Sequence, residues 1–189
     1  MKDKIKKLKS LLTDPNFLTL SRVAVVPVFI VLMMHEGRIY TFFAALFFCI
    51  AAATDYLDGF FARKKGLVSD LGKMLDPLAD KLLMASAFIM LVERGWAQAW
   101  IICLIVGREM AVTGLRSVVA EVGQDPGASS LGKLKTGFQI AAVIPLVLHY
   151  PYLGLNMHAI GTILLWIALV FTMWSGFDYF YRLGKIFKN

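Results

Sequence analysis

The chain has 189 residues, of which 58% are hydrophobic and only 17% charged. That balance excludes an ordinary water-soluble domain of this length and points to a single membrane domain. The formal net charge of +7 then favours anionic lipid headgroups and phosphorylated substrates as partners, and not nucleic acid.

Residues 1–15 open with "MKDKIKKLKSLL", which is basic and lacks the apolar core and cleavage site of a signal peptide. Ile5, Leu8, Leu11 and Leu12 recur at helical spacing, so this segment is expected to be an amphipathic helix lying on an anionic membrane surface. The remainder, 16–189, is expected to be one all-α integral membrane domain. Six candidate spans of about 18–25 residues, the length a bilayer core needs, fall at roughly 17–34, 39–61, 74–92, 96–120, 133–150 and 154–181. Asn16 is a candidate cap for the first, with Thr19 and Arg22 following. From Thr136 to Phe177 there is no Asp, Glu, Lys or Arg, and the break between the last two spans is "HYPYLGLNMH", with Pro151, Gly154 and Asn156 as turn residues. Cys49 and Cys103 both sit in apolar runs with no metal-site spacing and read as apolar filler.

Charge bias orients the spans. The N-terminal tail, the 62–73 loop, Lys133, Lys135 and the C-terminal tail carry fourteen Lys and Arg on one side, against Arg38 and Arg94 on the other. Both termini are therefore expected in the cytoplasm of a cell with this protein in its plasma or inner membrane. His35, His149 and His158 fall on the opposite side and have no assigned role.

The segment from Thr54 to Asp80 holds five aspartates in an otherwise apolar chain. Asp55 and Asp58 are spaced i, i+3 on the second span, and Asp76 and Asp80 i, i+4 on the third, so each pair shares one helix face. Carboxylates 5 Å apart repel by about 3 kcal/mol per pair at an effective dielectric near 20. Four together must share protons or bind cations, and hard oxygen ligands at this density suit magnesium, manganese or calcium. Four negative charges balance two divalent ions, a device of phosphoryl chemistry. Between the pairs, Gly59 and Ala62 are small enough for a bulky group to approach. Arg63 offers a fork for a diphosphate. Gly72 is expected just before the third helix, at a tight turn, and Pro77 near that helix's start.

Read as D-x2-D-G-x2-A-R-x8-G-x3-D-x3-D, the stretch from Asp55 to Asp80 resembles the signature of the CDP-alcohol phosphotransferase family, with all eight positions present. The remaining spans fit that family's six-helix plan, and N-x2-T-x2-R at Asn16, Thr19 and Arg22 resembles its first helix. The resemblance implies transfer of the phospho-alcohol part of a CDP-alcohol to an acceptor hydroxyl with release of CMP, in a homodimer. It implies two Mg2+ or Mn2+ ions held by Asp55, Asp58, Asp76 and Asp80, with Asp80 also the general base. Asp55, Asp58, Gly59, Ala62, Arg63 and Gly72 would form the CDP site at the cytoplasmic interface.

A second polar set, "GREMAVTGLR" followed by "GKLKT", bears on the acceptor. Arg108, Val112 and Arg116 step by four, with Thr113 nearby, and are expected to give a broad polar stripe. Lys133 and Lys135 are two apart and should point in different directions. The arginines could instead snorkel to headgroups or pair with Glu109 and Glu121. These segments resemble the branch of the family that accepts glycerol 3-phosphate, which implies that Arg108, Arg116 and Lys133, with Thr113 and Lys135 behind them, grip the acceptor phosphate and that CDP-diacylglycerol is the donor. The same chemistry with phosphatidylglycerol, inositol phosphate or serine as acceptor is the nearest alternative. A cation transporter would spread its carboxylates over several spans near mid-membrane, and a scaffold would leave the four carboxylates unexplained.

Overall fold

Apolar runs that leave no polar face must satisfy their backbone amides internally, and this chain does so with helices. The computed structural model describes residues 15–65, 70–121, 130–152 and 154–186, with side chains at 23–54, 81–119, 132–152 and 154–184. Among the described residues six helices follow in order: α1 (Pro15–Met34), α2 (Arg38–Lys65), α3 (Asp70–Glu93), α4 (Ala99–Glu121), α5 (Ser130–Leu148) and α6 (Met157–Ile186). Among the described residues there is no strand, only an isolated bridge between Tyr152 and Leu155. The expected surface helix at the N-terminus lies outside the described residues.

The helix bounds depart from the sequence expectation at several ends, for local reasons. α1 begins at Pro15, where a missing N–H costs nothing, so Asn16 lies inside the first turn and not at the cap. α2 runs to Lys65, past the expected end at 61, because Ala62, Arg63, Lys64 and Lys65 are all good helix formers. α3 starts at Asp70, a residue type suited to a helix N-terminus. Gly72 is therefore within the first turn of α3, not ahead of it, and Pro77 stands at the eighth position of the helix. α3 closes in a Schellman motif: Trp96 N–H donates to Leu91 (2.8 Å) and Gly95 N–H to Val92 (2.9 Å), with Gly95 at φ 68°. α4 then waits until Ala99, Gln98 presenting its carbonyl to Ile101 and Ile102. α6 starts at Met157 because the Asn156 side chain accepts the Ala159 N–H at 3.1 Å.

The chain forms two compact units, Met1–Met90 and Leu91–Asn189. In the first, α1 packs on α2. Phe29 and Phe48 meet with ring centroids 6.1 Å apart, among buried Val26, Met33, Ala44, Ala45 and Ala51. In the second, α6 packs against both α5 and α4. Phe138 of α5 stacks on Phe171 of α6 at 4.9 Å, and Trp100 of α4 meets Trp166 of α6 edge-on at 5.5 Å. The connections at one end of this unit are tied by a stack of Trp96 on His149 (4.0 Å), with His158 edge-on to His149 (4.9 Å).

Large apolar side chains also cover the outside. Ile39 is 70% exposed, Met110 70% and Phe177 75%, with Val31, Ile163, Val170 and Trp174 in the same condition. Exposed apolar side chains on this scale mark a surface suited to lipid or to another protein. Among the described residues, Met157–Gly184 is long and apolar enough to cross a membrane, with a mean hydropathy of 1.9.

The α5–α6 contact depends on Gly161. A Cβ there would come within 2.6 Å of Leu146 Cγ and 2.8 Å of the Leu146 backbone nitrogen, and small residues are what let apolar helices approach this closely. Gly161→Ala is expected to cost about 1–3 kcal/mol, read as a lower thermal midpoint in detergent, whereas Gly184→Ala, where the added methyl meets open space, leaves the midpoint unchanged.

Candidate active site

The motif aspartates fall on two continuous helices. On α2, positions 55, 58, 59, 62 and 63 are related by steps of 3, 4, 7 and 8 from Asp55, which places Asp55, Asp58, Gly59, Ala62 and Arg63 on one stripe. On α3, Gly72, Asp76 and Asp80 step by four and share another stripe. The extension of both helices beyond their expected ends is what makes these stripes unbroken. The side chains of all eight residues lie outside the described residues. Among the described residues no group of three His, Cys, Asp or Glu is placed to hold a metal.

The second polar set lies in the other unit, and here the side chains are described. Arg108 and Lys135 are nearly enclosed, with side chains 9% exposed. Both pair with Glu109: Arg108 Nη1 donates to Glu109 Oε1 at 3.3 Å, and Lys135 Nζ donates to the same oxygen. Gln139 Nε2 reaches that oxygen at 3.5 Å and donates to Thr172 Oγ1 at 3.1 Å. Arg108 Nη2 donates to Ser175 Oγ at 2.9 Å. Two of the expected acceptor residues, Arg108 and Lys135, are thus brought into one network on α4, α5 and α6.

The other three candidates are placed differently. Arg116 is exposed and lies over the Tyr179 ring, its guanidinium carbon 5.9 Å from the centroid. Lys133 is exposed while Lys135 is buried, the divergence expected of residues two apart on a helix. Thr113 is half-buried, and its carbonyl accepts from Ser117 Oγ at 3.2 Å. The expected polar stripe through Arg108, Val112 and Arg116 is not formed. Val112 is buried in an apolar cluster with Val119, Tyr179 and Leu183, while Arg108 and Arg116 reach Ser175 and Tyr179 of the same helix α6, so the three residues share a face whose middle is apolar.

Sequence reading missed Gln139, Thr172 and Ser175 as parts of this site. The available signal was that polar residues in a stretch without charges need partners, since an unbonded buried hydroxyl or amide is costly. Glu109 had been named only as a pairing partner for the arginines, and its pairing with Arg108 is observed.

These observations meet independent likenesses. The family described as CDP-alcohol phosphatidyltransferase matches residues 12–174, and the chain belongs to that family. It is 43% identical over 187 residues to the CDP-diacylglycerol–glycerol-3-phosphate 3-phosphatidyltransferase of Bacillus subtilis (strain 168), a match spanning 93% of this chain and 97% of the relative. A protein of the same name from Rickettsia bellii (strain RML369-C) is 40% identical over 178 residues, 92% of this chain and 96% of the relative. Another from Shigella flexneri serotype 5b (strain 8401) is 36% identical over 169 residues, 87% and 91%.

Glu109 is the carboxylate shared by two enclosed cations, Arg108 and Lys135, so its loss removes the negative charge that offsets part of theirs. Glu109→Gln is expected to destabilise the protein by about 2 kcal/mol, measured by thermal unfolding in detergent. Adding Lys135→Met should recover part of that loss, because the second change removes one of the two cations that Glu109 offsets.

Proposed function

We propose that this chain is an integral membrane enzyme whose six helices each cross the bilayer, with both termini cytoplasmic. It transfers the phosphatidyl group of CDP-diacylglycerol to sn-glycerol 3-phosphate, giving phosphatidylglycerol phosphate and CMP. The relatives' shared name supports donor and acceptor alike. The observation that carries the reading is the complete eight-position motif lying in register on two uninterrupted helices, α2 and α3. Helices of 19 to 30 residues match the roughly 20 residues a span requires. The asymmetry of Lys and Arg supports the orientation, and the net charge of +7 supports anionic lipids as neighbours. A homodimer belongs to the same reading.

Asp55, Asp58, Asp76 and Asp80 fit a pair of divalent cations by donor chemistry: four hard carboxylates on two helix stripes, with no soft ligand in the motif. When bound, Mg2+ or Mn2+ would supply neutralisation of the diphosphate and of the departing CMP. Gly59, Ala62 and Gly72 leave room for the CDP moiety, and Arg63 offers it a guanidinium fork. Arg108 and Lys135 bind the phosphate of the acceptor, with Arg116, Lys133 and Thr113 as further contributors. Asp80 takes the proton from the acceptor hydroxyl as its oxygen attacks the β-phosphorus. The new O–P bond forms as the bond from that phosphorus to the bridging oxygen breaks, and CMP leaves with that oxygen.

The test is CMP release by purified protein in detergent with CDP-diacylglycerol and magnesium or manganese, offering glycerol 3-phosphate, serine, inositol phosphate and phosphatidylglycerol separately. Turnover is expected with glycerol 3-phosphate, to be abolished by chelation, and to fall by about 10³-fold in Asp80→Asn. Turnover with another acceptor alone would overturn the acceptor assignment. Full activity in the presence of a chelator would overturn the metal assignment.

A further inference from the structure

Thr172, Ser175 and Gly176 occupy one turn of α6, inside a stretch that carries no charge from Thr136 to Phe177. Thr172 is 0% exposed and Ser175 2%. A hydroxyl buried in an apolar helix can be satisfied by a carbonyl one turn back, and Ser175 does donate to the Thr172 carbonyl at 3.1 Å. Each hydroxyl also accepts a bond from another helix: Ser175 Oγ from Arg108 of α4, and Thr172 Oγ1 from Gln139 of α5. With Gln139 and Arg108 both on Glu109, the bonds close a ring: Arg108, Ser175, Thr172, Gln139, Glu109 and back to Arg108. Gly176 completes the seat. A Cβ at this position would lie 3.1 Å from both Cγ and Nε of Arg108, so the arginine stem lies directly on the α6 backbone.

From this geometry we infer that Ser175, Gly176, Thr172 and Gln139 are positioning residues for the acceptor phosphate. They fix the Arg108 guanidinium before substrate arrives and so set the affinity for glycerol 3-phosphate without touching the donor. The inference rests on the reading of Arg108 as a phosphate ligand. A guanidinium with two of its nitrogens already fixed by protein loses little freedom on meeting an anion, which is how a preorganised site gains affinity.

Steady-state kinetics with each substrate varied in turn test this. Ser175→Ala and Gly176→Ala are expected to raise KM for glycerol 3-phosphate by about tenfold, the equivalent of one lost charge-assisted bond. KM for CDP-diacylglycerol and kcat should stay within about twofold of wild type, small beside that change. Thr172→Val should raise the acceptor KM by a smaller factor, and Thr172→Ser, which keeps the hydroxyl, should restore it. Gly176→Ala keeps the test sound if Ser175→Ala unfolds, because alanine favours a helix more than glycine does. Equal changes in both KM values, or a loss of thermal stability with the acceptor KM unmoved, would overturn the inference. Arg108→Gln separates the two layers. If it leaves the acceptor KM unchanged, the phosphate reading falls and this one with it. If it raises KM while Ser175→Ala and Gly176→Ala do not, the seat on α6 alone is wrong.

Discussion

One oxygen of Glu109 accepts from Arg108, Lys135 and Gln139. In water this would be an unremarked ion cluster. In a bundle whose neighbours are Ile, Val, Leu and Phe it is a constraint on everything around it, because a charge removed from water must be paired or it is not charged. Two cations share one carboxylate, so a single net positive charge remains on the three groups. Such a surplus is compatible with folding only where water or an anion can reach it, and Glu109 keeps 26% of its side chain exposed. The arrangement thus holds two positive groups together on one carboxylate.

That network requires close helix approach, and the backbone supplies it. Gly161 lets α6 lie against Leu146 of α5, and Gly176 lets Arg108 of α4 lie against α6. The bulk of the contact is made by Leu146, Val147, Leu165 and Ala168, all essentially buried, with the Phe138–Phe171 stack beside them. At the far end, the Schellman closure at Gly95 and the Asn156 cap fix where α3 ends and α6 begins. Apolar packing alone would tolerate rotation of one helix about its axis, since lipid-facing and neighbour-facing residues are both apolar. The hydrogen bonds that Thr172 and Ser175 accept from Gln139 and Arg108 remove that freedom.

The two parts of the site were not equally legible in the sequence. The carboxylate motif spans 26 residues, Asp55 to Asp80, and its spacing is a local property of two helices, so the periodicity could be read directly. Its helix ends were less visible. Gly72 suggested a turn ahead of the third helix, yet the helix starts at Asp70 and runs through it, with Pro77 at its eighth position. Membrane helices tolerate such residues because neighbouring groups can re-satisfy the backbone. Arg108 and Lys135 were recognisable as costly charges in apolar surroundings, but their partners were not. Glu109 and Gln139 are 30 residues apart, and Arg108 and Ser175 are 67. No local pattern joins residues at such separations, and serine or threonine in an apolar helix carries no motif. Val112 failed in the opposite direction: the step of four made it look like part of a polar stripe when packing against Tyr179 and Leu183 decided its place.

The difference in legibility has a chemical counterpart. Donor and metal chemistry is assigned to a compact motif on α2 and α3, where every position is dictated by helix register. Acceptor chemistry is assigned to α4, α5 and α6, where Arg108 depends on a serine and a glycine of α6 and Lys135 on a glutamate of α4. A change of acceptor need not disturb the carboxylates. On the proposed assignment it needs only different short polar side chains behind Arg108, whose guanidinium donates to Ser175. On the same assignment, Ser175, Thr172 and Gln139 are the positions at which the transfer is redirected to acceptors of different size and charge, while the stripes on α2 and α3 stay as they are.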